Sequence, residues 1–391
     1  QAQKAGEQAY ASSDYDLAMA IHLLGSVLRE TGDVDRALAL EQDATRRFEE
    51  VDNKRQSKSA KRMAAICLSG QGDCLLLLGR FKEAEKTYVN VIKSAVLRGD
   101  QRSAAVGKSK LGTALQYQLG RKEAISVLAE ARDIFMNLNE PGSVATIWHQ
   151  IGILHEADGQ PKEAEKSYNE ALLITVRLGN QRKQAGTLLQ LGNLYANHLA
   201  RPEDAAAFYR RAVEVYAAVG DLKGEGFASN NLAGTLVRLN SFDAARKAAK
   251  RAIECNLPFG HAAEPWTTWS ILCSVEQKAG NPVAAEEAQQ QARAAFLAYR
   301  RDGGENQSLP GQLALAVRQV LSTGEQGSAA LILQQLADEP RMAEGFSFLR
   351  ALQAITAGSR DLSLTEDPAL HYKQAAEVLL LIEALDADAG G

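Results

Sequence analysis

Gly107-Lys108-Ser109 holds the three residue types that close many phosphate-binding loops. Such a loop needs a further glycine five residues before its last one, so that consecutive backbone N–H groups can curl around the phosphates as a buried strand delivers the chain. Arg102 stands at that position, and the Ser103-Ala104-Ala105-Val106 segment leading in is Ala-rich and helical in character. Lys108 and Ser109 therefore read as part of a helix, with no nucleotide expected. Other catalytic spacings are missing too: there is no His-Glu-x-x-His, no Gly-x-Ser-x-Gly and no paired Cys-His metal spacing. His149 and His155 are six residues apart, which does not place two ligands on one helical turn. Cys67, Cys74, Cys255 and Cys273 form no Cys-x-x-Cys pair and read as reduced packing thiols. In the C-terminal region, His371 has no cysteine and no second histidine to work with. The expectation is a chain without catalytic residues, metal or cofactor.

Composition narrows the class further. The chain has 391 residues, of which 46% are hydrophobic and 24% charged, enough to bury a core and poor ground for disorder. A formal charge of −4 removes the usual whole-surface attraction to nucleic acid or an anionic membrane. No run of about 18 apolar residues exists, and the first residues lack the basic-then-apolar order of a signal peptide, so a cytoplasmic location is expected. The sequence begins at Gln1 without methionine, which is read as an excised part of a longer protein.

The elements that would position any site follow from a repeat. Gly25, Gly72, Gly112, Gly152 and Gly192, then Ala233 and Cys273, recur at spacings of 47, 40, 40, 40, 41 and 40 residues. Glycine inside a helix costs about 1 kcal/mol relative to alanine, a cost tolerated where a second helix approaches closely. Twelve residues after most of these anchors stands an alanine, as at Ala37, Ala84, Ala124, Ala164, Ala245 and Ala285, read as the contact on the partner helix. Between the two helices fall Gly32-Asp33, Gly79-Arg80, Gly120-Arg121 and Gly159-Gln160, residues that permit a left-handed backbone. Thirteen residues before an anchor stand Gly99, Asn139, Gly179, Gly220 and Gly260, suited to positive φ at a helix end. Asp100, Glu140, Asn180 and Asp221 follow them and favour the next helix start. Each unit is a helical hairpin, and stacking hairpins buries faces that no single one could bury.

The segments Gly79-Arg-Phe-Lys-Glu-Ala-Glu-Lys-Thr-Tyr88 and Gly159-Gln-Pro-Lys-Glu-Ala-Glu-Lys-Ser-Tyr168 resemble tetratricopeptide (TPR) repeats, over roughly three quarters of the chain. The 40-residue period exceeds the usual value of about 34 and is similar to the long variant of Pins-type adaptors, kinesin light chains and bacterial signalling proteins. The resemblance implies an all-α fold, a right-handed superhelical solenoid of TPR hairpins with a C-terminal helical cap or module. The expected divisions are an N-terminal cap or remnant helix at 1–15, an array of about seven repeats at 16–300 and a helical module at 305–391. Within that module, helices are expected near 311–322, 326–337, 340–357 and 368–385.

The same resemblance implies a concave groove. Partner-binding residues expected on it are Asn193, Asn197, Asn230, Asn231, Arg238, Gln116, Tyr117, His149 and Glu156. A side-chain amide both donates and accepts, so the four asparagines suit the backbone of an extended partner segment, forming one patch across two adjacent repeats. Asn193 and Asn231 resemble the asparagine pair with which chaperone-binding TPR domains hold an acidic tail. Leu189, Thr267 and Ile271 stand where that clamp has its cations, so an internal partner segment is expected instead. His155, Trp148, Trp266 and Trp269 read as packing residues, and Lys54–Arg62 as a solvated helix start or loop. The expected function is a non-catalytic interaction scaffold binding a protein or peptide, with no nucleic acid and no membrane. It would be the sensor or adaptor part of a larger bacterial signalling protein, with a peptide-responsive regulator as the alternative. Oligomeric state is left open.

Overall fold

The computed structural model describes residues 13–118, 120–324, 326–337 and 346–390, and among these it contains helices and no strand. Two compact units divide at Leu199/Ala200. In the first, α1 (Ser13–Thr31) pairs with α2 (Val34–Arg55), α3 (Lys58–Leu77) with α4 (Phe81–Leu97), α5 (Gln101–Tyr117) with α6 (Arg121–Asn137), and α7 (Pro141–Ala157) with α8 (Pro161–Arg177); α9 (Gln181–Asn197) ends the unit. From α5 onward the helices of this unit are 17 residues long and joined by three-residue turns, which is what a 40-residue period requires. Gly107-Lys108-Ser109 lies inside α5, and Lys108 pairs with Glu130 of α6. The proposed N-terminal cap falls almost wholly outside the described residues.

Local chemistry ends and restarts each helix. Gly99, Asn139 and Gly179 take φ of 68°, 54° and 62°, as their positions before the anchors predict. The following Asp100 and Asn180 accept hydrogen bonds from the backbone N–H groups of Ser103 and Lys183 and cap α5 and α9. Glu140 makes no such cap. Its carboxylate takes Arg102 (2.6 Å) and Ser143 (3.1 Å), and Pro141 begins α7 without needing the missing donor. Gly120 corrects the turn reading: it has φ −78° and is the N-cap of α6, so the glycine sits one residue later than in the other hairpins.

The anchors pack as the repeat requires, although their nearest neighbours differ from expectation. Ala37, Ala84, Ala124 and Ala164 are fully buried. A Cβ on Gly72, Gly112 or Gly152 would instead first meet Tyr88, Leu128 or Tyr168, at 2.5, 2.6 and 2.5 Å. These side chains stand sixteen residues after their anchors and fill the space a larger residue would need.

In the second unit, α10 (Pro202–Ala218) packs on α11 (Leu222–Arg238), which pairs with α12 (Phe242–Asn256). A 3-10 segment, Leu257–Ala263, replaces the short turn before α13 (Pro265–Lys278). Gly260 has φ 53° and ψ −135°, and Glu264 is left-handed at φ 46°. After α14 (Pro282–Arg301) come α15 (Leu309–Ser322), α16 (Gln326–Ala337), α17 (Phe346–Thr356) and α18 (Tyr372–Gly390). Residues 340–345 of the third expected helix lie outside the described residues, and the last helix starts and ends later than its pattern suggested. The α18 helix packs on α14: Tyr372 and Ala376 join Trp266, Ala292, Phe296 and Leu297 in one core. Arg300 pairs with the buried Glu377 at 3.0 Å, and Arg293 donates to the Thr365 carbonyl, so apolar and polar contacts both fix this covering helix.

Candidate functional site

The best-formed recess carrying a predicted binding residue lies wholly in the second unit. Its walls are α11, the end of α12, the 3-10 segment and the start of α13, and its volume is ≈ 340 Å³. Asn230 lines it, three residues before the small anchor Ala233, and its buried Oδ1 receives no hydrogen bond among the described residues. Phe227, 58% exposed, and Phe259, 37% exposed, bring aromatic rings to the same recess. Asn256 is the second amide there. Its Nδ2 donates to Thr268 at 3.3 Å, and its Oδ1 lies where a Cβ on Gly226 would come within 2.5 Å. Glycine at 226 is thus what lets the end of α12 approach α11. A free acceptor between exposed rings can take a backbone N–H while apolar side chains cover the rings.

Phe227, Phe259 and Asn256 were not singled out in the sequence. The available signal was Pro258 and Pro265 on either side of Gly260, because the 40-residue spacing is unchanged there while two prolines interrupt the helical pattern around Phe259.

The other predicted residues fall on both sides of the division between units. In the second, Asn231 and Arg238 lie on α11, Asn231 half-buried and Arg238 exposed, with Arg238 reaching Thr235 Oγ1 at 3.4 Å. In the first, Asn193 is half-buried and donates to Gln190 Oε1 at 3.2 Å, while Asn197 is exposed at the end of α9. Gln116 is half-buried, and Tyr117 is exposed yet stacked on Phe81 with ring centroids 4.9 Å apart. His149 approaches Thr187 Oγ1 at 3.2 Å and tilts against Tyr168; burial and nearby Lys183 hold its pKa below the ordinary value. Glu156 accepts from Tyr168 Oη at 2.8 Å and faces His198 Nε2 at 3.3 Å. His149 and Glu156 thus take part in internal contacts of the array.

The first unit has its own groove, ≈ 370 Å³, between α1, α3 and α5. Asp73 organises its cations: Lys110 lies 2.7 Å away, Arg29 3.7 Å away, and Tyr88 Oη donates to it at 2.7 Å. Arg62, from the basic run, lines the same groove, whereas Lys54 and Arg55 close α2. Beside it His22, Glu41 and Cys67 converge from α1, α2 and α3. All four cysteines are buried, and none of them forms a disulfide. Burial and the neighbouring Glu41 raise the Cys67 pKa well above the usual thiol range.

Two tetratricopeptide-repeat family models match the sequence, one over residues 103–174 and 183–256, the other over residues 17–51. Among solved structures, the chain is similar to a Signal Transduction ATPase with Numerous Domains protein with a tetratricopeptide repeat sensor from Pyrococcus horikoshii. The TM-score is 0.61 at 14% identity, and the match covers 76% of this chain and 46% of that one. The apo form of RapI gives a TM-score of 0.50 at 14% identity, covering 71% of this chain and 98% of the other. BtubC from P. vanneervenii gives 0.47 at 17% identity, covering 68% and 92%. For the first two of these, at 14% identity, the likeness is one of fold. Small-residue anchors, paired helices and matched segments share one register, and the chain carries tetratricopeptide repeats over the matched segments.

Proposed function

We propose that the chain is a non-catalytic interaction scaffold that holds an extended internal segment of a partner protein or peptide. The observation carrying this reading is Asn230: a buried acceptor without a donor among the described residues, set in a recess with the exposed rings of Phe227 and Phe259. An unsatisfied buried acceptor costs about 1–3 kcal/mol, and a partner backbone N–H would relieve that cost. An apolar partner side chain would cover the rings. Asn231 and Arg238 on the same helix extend the reading as further polar contacts, and Asn193 and Asn197 are polar contacts proposed separately for the first unit. A sensor or adaptor role in a larger signalling protein belongs to the same proposal.

The test is a peptide selected against the full chain from a displayed library and measured by fluorescence anisotropy. Asn230→Ala should weaken binding by about 2–13-fold, the equivalent of one hydrogen bond, with an unchanged melting temperature. Phe227→Ala should weaken it more, and Asn193→Ala tests the first unit separately. Full affinity in Asn230→Ala and Phe227→Ala together would defeat the assignment, as would a loss that only accompanies unfolding.

A further inference from the structure

Glu41 breaks the packing rule of its own repeat. Sixteen residues after their anchors, the next three hairpins bury Tyr88, Leu128 and Tyr168; the first hairpin buries a carboxylate, with Glu41 fully inaccessible. Moving a carboxylate out of water costs several kcal/mol where a tyrosine or leucine would have gained stability. Neighbouring helices are shaped around it. A Cβ on Gly70 would lie 2.7 Å from Glu41 Cδ and 2.8 Å from Oε1, so any larger residue here would have to displace the carboxylate. His22 Nδ1 lies 2.8 and 3.1 Å from the two carboxylate oxygens, and the fully buried Cys67 completes the group. One ligating atom from each residue lies within 4.8 Å of the others.

We propose that His22 Nδ1, Glu41 and Cys67 Sγ form a zinc site with three protein ligands and a fourth position toward the groove of the first unit. An imidazole nitrogen, a carboxylate oxygen and a sulfur make the mixed set that zinc accepts in tetrahedral geometry. Bonds of about 2.0–2.3 Å put tetrahedral ligands roughly 3.3–3.8 Å apart, so the His22–Glu41 pair opens slightly around the ion. The thiol proton leaves to solvent as the zinc–sulfur bond forms, and His22 binds as the tautomer protonated on Nε2. His22 and Gly70 both line the groove, which gives water or a partner side chain access to the fourth position. Arg29 and Lys110, the nearby groove cations, are engaged by Asp73, and the ligand set itself carries the charge that balances the ion. This proposal is independent of the binding role of Asn230.

The experiment titrates the metal-stripped full chain with Co²⁺ and then Zn²⁺. Expected are the intense d–d bands of tetrahedral cobalt and a thiolate-to-cobalt charge-transfer band, saturating at one equivalent and displaced by zinc. Cys67→Ser should remove the charge-transfer band, while Cys74→Ser, which alters a buried thiol on the same helix outside the group, should keep it. His22→Gln, at a partly exposed position, should weaken binding at least about tenfold with unchanged helicity. It keeps the test decisive if Cys67→Ser fails to fold. No charge-transfer band in the unaltered chain, a band that survives Cys67→Ser, or unchanged affinity in His22→Gln would each overturn the proposal.

Discussion

Gly152→Leu is expected to lower the unfolding midpoint sharply, whereas Gly234→Ala raises it slightly. Both glycines lie inside helices, so propensity alone favours replacing either. Tertiary packing separates them. A Cβ on Gly152 would lie 2.5 Å from Tyr168 Cε1, and Tyr168 is itself fully buried, with its hydroxyl bonded to Glu156. Leucine adds three further carbons there, and overpacking of this kind costs about 1–3 kcal/mol, occasionally more. Each hairpin is stabilised chiefly by its neighbours, so a loosened α7–α8 pair also weakens the hairpins beside it. Beyond its own helix turn, no atom of the described residues lies within 4 Å of a Cβ on Gly234, and alanine there should gain about 1 kcal/mol of helix propensity. Denaturant unfolding followed by circular dichroism checks both; an unchanged midpoint in Gly152→Leu would refute the anchor packing.

Arg246→Ala should produce the second large effect. Glu276 is 4% exposed on α13, and Arg246 of α12 grips it with two bonds of 2.5 and 2.8 Å, while Asn281 adds a third at 2.8 Å. Removing the arginine leaves a buried carboxylate with one neutral donor, which costs about 3–5 kcal/mol in comparable pairs. Asp243 also contacts Arg246 but is 95% exposed, so Asp243→Ala should change stability by less than about 0.5 kcal/mol. The pair also sets a pH dependence. The Arg246 hydrogen bonds hold the Glu276 pKa below its ordinary value; burial opposes them and the Asn281 bond adds to them. A carboxylate with a depressed folded pKa stabilises the fold above its unfolded value, near 4.3, and loses that contribution as pH falls through the folded value. The unaltered chain should therefore lose stability on acidification below about pH 4.3, with a shallower loss in Arg246→Ala. Equal acid dependence in the two proteins would exclude this pair as its source.

Much of the architecture was legible because it is locally encoded. A positive φ at Gly99, Asn139, Gly179, Gly220 and Gly260 follows from residue type at a fixed offset, and the Asp100, Asn180 and Asp221 caps follow from the next residue. These preferences act within a few residues and recur every hairpin, so periodicity amplifies them. Glu140 and Gly120 departed from the pattern through tertiary and register effects: Arg102, 38 residues away, takes the Glu140 carboxylate, and Gly120 sits one place along its turn.

The sequence alone determined the helical hairpin, its period and the small anchors, because helix geometry converts residue spacing directly into a shared face. Tertiary structure decided what those faces enclose. Asn230, Asn256 and Phe259 line one recess only because the 3-10 segment folds back at Gly260, and His22, Glu41 and Cys67 meet only because three helices rotate them toward one point. Residues 19 and 26 positions apart in this group share no turn and no local preference. Their convergence depends on interhelical distance and side-chain packing, for which a linear spacing carries no signal.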